Sequence, residues 1–209
     1  MRRAAKTLAL AIALLAWPGA TAIAADPTVT ATSTPTDMFR PGTVFIKPGH
    51  TVKWHNSDGR HNVCFGSNTN CIGGDPLTHM PSTIHWDASR TFNTAGRFKY
   101  FCSEHSDGTF GMVGTVVVDA KPPVITNLSA KLPNVRFHLS EAAKVFGDVR
   151  RDKPGTTFKL VFSAQRKAGD RSVQYSGSGL AKGTYILRLR ARDAAGNAAK
   201  PVTTKFTKS

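Results

Sequence analysis

The residues most able to do chemistry lie close together, in Tyr100-Phe-Cys-Ser-Glu-His105 and in Gly111-Met-Val-Gly114, with six residues between His105 and Met112. A soft thiolate, an imidazole and a weak thioether form a donor set that selects copper and supports rapid one-electron exchange. Cys-x-x-His spans only one short loop, so the set needs a second imidazole from elsewhere in the chain. The chain has three cysteines, an odd number, which leaves one thiol to explain in an exported protein. Cys64 and Cys71 have six residues between them in a Gly- and Asn-rich loop, a span that predicts a local disulfide in an oxidising compartment. Cys102 is then left over. Its other uses are a buried free thiol or a structural zinc site drawing on Cys64, Cys71, Cys102, His61 or His105, although that spacing fits closed zinc motifs poorly. Met112 has core filling as its alternative role. His50, His55, His79 and His85 are expected on the surface or in loops.

The elements that must position these side chains read as strands. Apolar residues recur at every second position in Val44/Ile46, Val52/Trp54, Phe98/Tyr100/Cys102 and Tyr185/Leu187/Leu189, in short runs cut by Gly, Pro, Asn and Asp. That period and spacing predict an all-β protein of sandwiches or barrels. Strand-like Gly114-Thr-Val-Val-Val118 ends at Asp119, and Lys121-Pro-Pro123 cannot continue a sheet interior. Two β domains in tandem are predicted, over 26–120 and 121–209. Residues 1–25 have the layout of a signal peptide. Arg2, Arg3 and Lys6 precede an apolar run from Leu8 to Trp17, and small residues follow through Ala25. The run is too short to span a bilayer, so cleavage is expected just before Ala25 or Asp26, with an uncleaved anchor as the alternative. No later segment is apolar enough to cross a membrane. The mature protein is expected to be periplasmic, cell-surface or extracellular.

The net charge of +15 is unevenly placed. Residues 26–120 carry seven basic and eight acidic side chains, whereas residues 121–209 carry eighteen and five. Such asymmetry speaks of partners rather than of fold. Nucleic acid is excluded as a partner by the export signal and by the want of a recognition element or stacking aromatics.

Trp54-His-Asn-Ser-Asp-Gly-Arg-His61-Asn-Val63 resembles the first ligand segment of plastocyanin-like cupredoxins. Phe45-Ile-Lys-Pro-Gly49, Phe92, Ala95-Gly-Arg-Phe-Lys-Tyr-Phe-Cys102 and Gly111-Met-Val-Gly-Thr-Val-Val-Val118 follow in the same order. The resemblance covers residues 39–118 and implies a Greek-key β-sandwich holding one type 1 copper. It implies His61, Cys102 and His105 as ligands, Met112 as the axial donor, and Asn62 as the residue bracing the thiolate loop. It further implies that His105 is the electron port and Phe110 part of the apolar patch around it. The chain departs from the pattern twice. The family has four residues between the second histidine and the methionine, which predicts here a displaced, lengthened or lost axial bond. Phe101 stands where a tyrosine is usual.

In the second half, Leu180-Ala-Lys-Gly-Thr-Tyr185 resembles the tyrosine corner of immunoglobulin-like and fibronectin type III sandwiches. Arg188, Arg190 and Arg192 alternate with Leu187, Leu189 and Ala191, so one strand face is arginine. That face predicts a grip on a cell-wall polyanion, an anionic lipid surface or an acidic redox partner, against a solvated face kept charged for solubility. The sequence as a whole predicts a non-enzymatic electron carrier serving a cytochrome or an oxidase. The alternative is a copper-binding or adhesive surface protein. The absence of a His-x-His pair speaks against a multicopper oxidase.

Overall fold

The computed structural model describes residues 26–209, so the predicted signal peptide lies outside the described residues. Among them there is no α-helix, and no helix long and apolar enough to cross a membrane. Sixteen strands form two sandwiches, each with its own cluster of buried apolar side chains.

The first sandwich holds β1 (Thr28–Thr32), β2 (Met38–Arg40), β3 (Thr43–Ile46), β4 (His50–Asn56), β5 (Val63–Cys64), β6 (Cys71–Gly73), β7 (Asp87–Phe92), β8 (Gly96–Ser106) and β9 (Gly111–Val118). One sheet has the order β2-β1-β4-β7 and the other β3-β9-β8-β5-β6. The pairs β1/β4 and β3/β9 run parallel and the others antiparallel. Alternation decides which side chains enter the core. Val52, Trp54 and Asn56 of β4 are buried while Lys53 is exposed, and Met112, Gly114, Val116 and Val118 of β9 point inward. Trp54 meets Tyr100 edge to face at 5.3 Å, and Phe39 meets Tyr100 at 4.9 Å. A fully buried aromatic ring of this kind contributes about 3 kcal/mol or more. Tyr100 lies across β9 only because its register partner is Gly114, where a Cβ would stand 2.2 Å from the ring. Phe101 faces the other way, as the period of two requires, and is buried there.

The second sandwich holds β10 (Ile125–Lys131), β11 (Asn134–Leu139), β12 (Ala143–Arg151), β13 (Lys159–Arg166), β14 (Gly169–Gln174), β15 (Gly183–Arg192) and β16 (Val202–Lys208). Its sheets have the orders β10-β11-β14 and β13-β12-β15-β16, antiparallel throughout. Val135, Phe137, Leu139, Val145, Leu187 and Leu189 fill the space between them. The Tyr185 hydroxyl donates to Ala181 O at 2.8 Å, the bond of a tyrosine corner.

Candidate metal centre

His61 sits just beyond β4, in a turn that polar groups hold in place. Asn56 is fully buried and donates to the carbonyls of Gly59, Ser82 and Ile84. His61 exchanges two backbone hydrogen bonds with Ser82, and its carbonyl accepts from the Trp86 indole at 3.0 Å. Asp58 ties this turn to the first strand. Hydrogen bonds from Thr32, Thr34 and Ser33 hold its carboxyl down at about 2. Cys102 and His105 come from the far part of β8, which crosses behind the turn.

These elements bring three donor atoms to one point. Cys102 Sγ lies 3.9 Å from His61 Nδ1 and 3.6 Å from His105 Nδ1, and the two nitrogens are 3.2 Å apart. A trigonal metal about 2.0 Å from each nitrogen and about 2.3 Å from sulfur requires separations of about 3.5 and 3.7 Å. The donors therefore fit one ion. Cys102 and His61 are fully buried, and a quarter of the His105 side chain is exposed. Cys64 and Cys71 are joined in a disulfide, which removes them from any closed zinc site. A second group of metal-ligating side chains, Asp119, Glu141 and Asp193, is all carboxylate, the donor type of hard cations rather than copper.

The outward edges of both imidazoles are also engaged. Ser33 donates its hydroxyl proton to Asp37 at 2.6 Å and lies 3.1 Å from His61 Nε2. With that proton committed, the network assigns the His61 N–H to Nε2 and turns the Nδ1 lone pair toward Cys102. Burial, and then the neighbouring His105, hold the pKa of His61 below its ordinary value, which keeps the ring neutral as a ligand must be. Asp37 also reaches within 3.8 Å of His105 Nε2. One carboxylate thus stands beside the outer nitrogen of both histidines. Gly59 makes room for this network, because a Cβ there would lie 1.9 Å from Ser33 Oγ. Ser33 and Asp37 were invisible in the motifs, since they stand 28 and 24 positions before His61 in an unpatterned turn.

Asn62 is buried and spans the site from behind. Its Oδ1 accepts from Ser103 N at 2.9 Å and its Nδ2 donates to His79 O at 2.9 Å. The residue next to the thiolate is thereby locked to the turn bearing His61. His79 contributes its carbonyl here rather than its imidazole. His85 is bonded to Asn56 O, His55 to Asp87, and His50 lies near Asp26.

The two extra residues between His105 and Met112 are taken up by a turn. Ser106 pairs with Gly111, and Asp107 caps Thr109 N and Phe110 N at the exposed tip. Met112 follows directly and is buried in the same core cluster as Cys102.

Residues 27–119 match the family described as copper binding proteins, plastocyanin/azurin family. A plastocyanin of Scenedesmus fuscus is 35% identical over 89 residues, 39% of this chain and 86% of that protein. The chain belongs to the plastocyanin/azurin family. A chloroplastic plastocyanin of Tetradesmus obliquus is 36% identical over 89 residues, and the chain spans 58% of its length. Amicyanin from Paracoccus versutus is 29% identical over 46% of this chain and 83% of its own, with a TM-score of 0.35. Membership in a copper-binding family agrees with the soft donor set of His61, Cys102 and His105.

In the second sandwich, the predicted arginine face is less open than its sequence implies. Asp148, across from β15 on β12, is nearly fully buried. It accepts two bonds from Arg190, at 2.7 and 2.9 Å, and one from Arg188 at 3.1 Å. Arg188 also lies over the Phe158 ring at 4.0 Å. Arg192 is exposed opposite Lys144.

Replacing Asp37 tests the carboxylate between the imidazoles. A nearby anion favours the more oxidised state of a bound metal, and partial exposure screens the effect. Asp37→Asn is expected to raise the reduction potential by on the order of tens of millivolts. Protein-film voltammetry checks this, and a lower potential would contradict the assignment.

Proposed function

We propose that the protein is an exported one-electron carrier with a single type 1 copper site and no catalytic activity of its own. One observation carries the reading: three soft and borderline donors converge at ion-binding separations, and one of them, His105, reaches solvent. Copper bound there supplies reversible exchange between its +1 and +2 states. The residues around it do the rest. Asn62, Ser33 and the His61–Ser82 bridge hold the ligands in one geometry, so little reorganisation accompanies a change of charge. Burial of Cys102 and His61 keeps water from the thiolate. Met112 is the axial donor in this reading, and its burial in the same core cluster as Cys102 supports that role. The edge of His105 is the electron port, and Phe110, three-quarters exposed on the adjoining turn, offers apolar contact to a redox protein such as a cytochrome or an oxidase. The second sandwich, immunoglobulin-like in its tyrosine corner, is a basic module that positions the carrier at an anionic envelope surface. Residues 1–25 direct it to a periplasmic, cell-surface or extracellular location.

Stopped-flow mixing of the copper-loaded protein with a reduced cytochrome c tests the carrier role. Electron exchange on the millisecond scale of ordinary turnover is expected. Copper binding without exchange on that scale would leave only a copper-holding surface protein.

A further inference from the structure

Strands β13 and β14 are the free edges of the two sheets of the second sandwich, on the same side of the molecule. They are joined at one end by the short turn Lys167–Ala168 and run apart toward Lys159 and Gln174. Where they part lies a cleft of about 860 Å³, lined in part by Tyr175, whose ring packs on Phe162 at 6.1 Å. That volume lies in the range of ligand sites and far exceeds a single inorganic anion.

The lining has a one-sided chemistry. It contains Arg150, Arg151 and Lys159 and no aspartate or glutamate. Arg150 donates to the carbonyls of Arg151 and Lys153, and Arg151 to the carbonyl of Lys182, at 2.9–3.4 Å. These bonds fix the guanidinium groups without cancelling their charge. Lys159 has no ion pair among the described residues. Arg188 and Arg190 on the outer sheet face instead share the Asp148 carboxylate. Of these two basic surfaces, the cleft therefore keeps three cations without an ion pair among the described residues and the arginine row keeps Arg192 alone.

The remaining lining sets the hydroxyl and amide groups of threonine, serine and Gln174 beside the apolar Val149, Leu160, Val161 and Leu180. Tyr175 lines the cleft, and its hydroxyl is buried with no hydrogen-bond partner. An unsatisfied buried hydroxyl costs about 1–3 kcal/mol, which a ligand hydroxyl reaching it would relieve. A concave site rich in neutral hydrogen-bonding groups and fixed cations does not suit a flat membrane surface. It suits a chain of polar rings carrying acid groups.

We propose that the cleft between β13 and β14 binds a segment of an acidic polysaccharide, with Lys159, Arg150 and Arg151 facing its acid groups and Gln174 and Tyr175 its hydroxyls. The proposal rests on reading the second sandwich as an envelope-positioning module and gives that module its ligand and site.

Titration calorimetry of the full chain against oligogalacturonate, a neutral oligogalactan and anionic phosphatidylglycerol vesicles tests it. Oligogalacturonate is expected to bind, more weakly as salt rises, and the neutral oligomer is not. Lys159→Glu is expected to weaken binding about tenfold or more by reversing one charge in the site. Tyr175→Phe is expected to weaken it roughly fivefold, the worth of one hydrogen bond, while thermal stability holds or rises because an unpaired buried hydroxyl is removed. Arg192→Glu, on the outer face, is expected to leave affinity within about twofold. Loss of binding in Arg192→Glu with Lys159→Glu unaffected would overturn the cleft and keep a polyanion-binding module. Binding to vesicles alone would overturn the saccharide and keep envelope attachment. No binding to any probe would overturn the cleft and the attachment role together, with the copper chemistry untouched.

Discussion

Replacing Cys102 with serine is expected to abolish the intense visible thiolate-to-copper absorption and to leave the protein colourless when loaded with Cu(II). Cys102 is the single free cysteine and is fully buried, and its sulfur lies within 4 Å of both imidazole nitrogens. A serine hydroxyl is a hard, weakly acidic donor and cannot supply the charge-transfer transition of a thiolate. Loss of a residue that hydrogen-bonds a ligand costs about 10–100-fold in metal affinity, and loss of a ligand is expected to cost more. The metal-free variant is expected to remain folded, because sulfur and oxygen differ little in volume and the surrounding core of Trp54, Tyr100 and Val116 is unchanged. Absorption and electron paramagnetic resonance spectra of the copper-loaded variant, beside circular dichroism of the metal-free form, separate these outcomes. A variant that stays blue would show that the thiolate is not a ligand.

The reason this site could be read from sequence is that its donors lie in segments whose local pattern is strong. β4 and β8 alternate apolar and polar residues, so the period of two already places Trp54 and Cys102 on an inner face. His61-Asn62 and Cys102-x-x-His105 are contiguous, and their roles travel with their motifs. The residues that hold the ligands in place were legible only in part. Asn62 was marked by its place beside a ligand, whereas Ser33 and Asp37 belong to a turn with no periodicity and reach His61 only because β1 runs parallel to β4. Parallel pairing between distant strands leaves no local trace in the chain. The lengthened loop after His105 had a shape that no motif specified. Ser106 pairs with Gly111 and Asp107 caps the turn between them, so the two added residues form a hairpin tip at the surface.

The arginine row shows the opposite case, in which alternation was right and the chemistry incomplete. Arg188, Arg190 and Arg192 do share one sheet face, as their spacing requires. What the spacing cannot convey is the partner on the neighbouring strand. Register sets Asp148 against Arg188, and Phe146 against Arg190, so charge and aromatic surface meet across β12 and β15. A cross-strand neighbour is fixed by tertiary pairing, not by proximity in sequence.

That pairing makes Asp148→Asn the substitution with the largest expected effect on the second sandwich. Burial acts to raise the Asp148 pKa, but hydrogen bonds and charge from Arg190 and Arg188 outweigh it and hold the carboxyl below its ordinary value. Asparagine keeps the shape and loses the charge, leaving two guanidinium groups on a sheet face without a counterion. Breaking a fully buried pair costs about 3–5 kcal/mol, and the partial exposure of both arginines lowers the expected loss to about 2 kcal/mol. In a sandwich of this size that corresponds to a fall of roughly 10 °C in its melting temperature. The pH dependence fixes the cause. A carboxyl with a depressed folded pKa stabilises the protein fully above its unfolded value, about 3.9, and loses that contribution as the pH falls toward the folded value. The stability gap between wild type and Asp148→Asn is therefore expected to be constant at neutral pH and to close in acid. Scanning calorimetry of the full chain at several pH values measures this, and the blue absorption of the first sandwich serves as an internal control. A gap independent of pH down to the acid limit would assign the loss to packing and not to the ion pair.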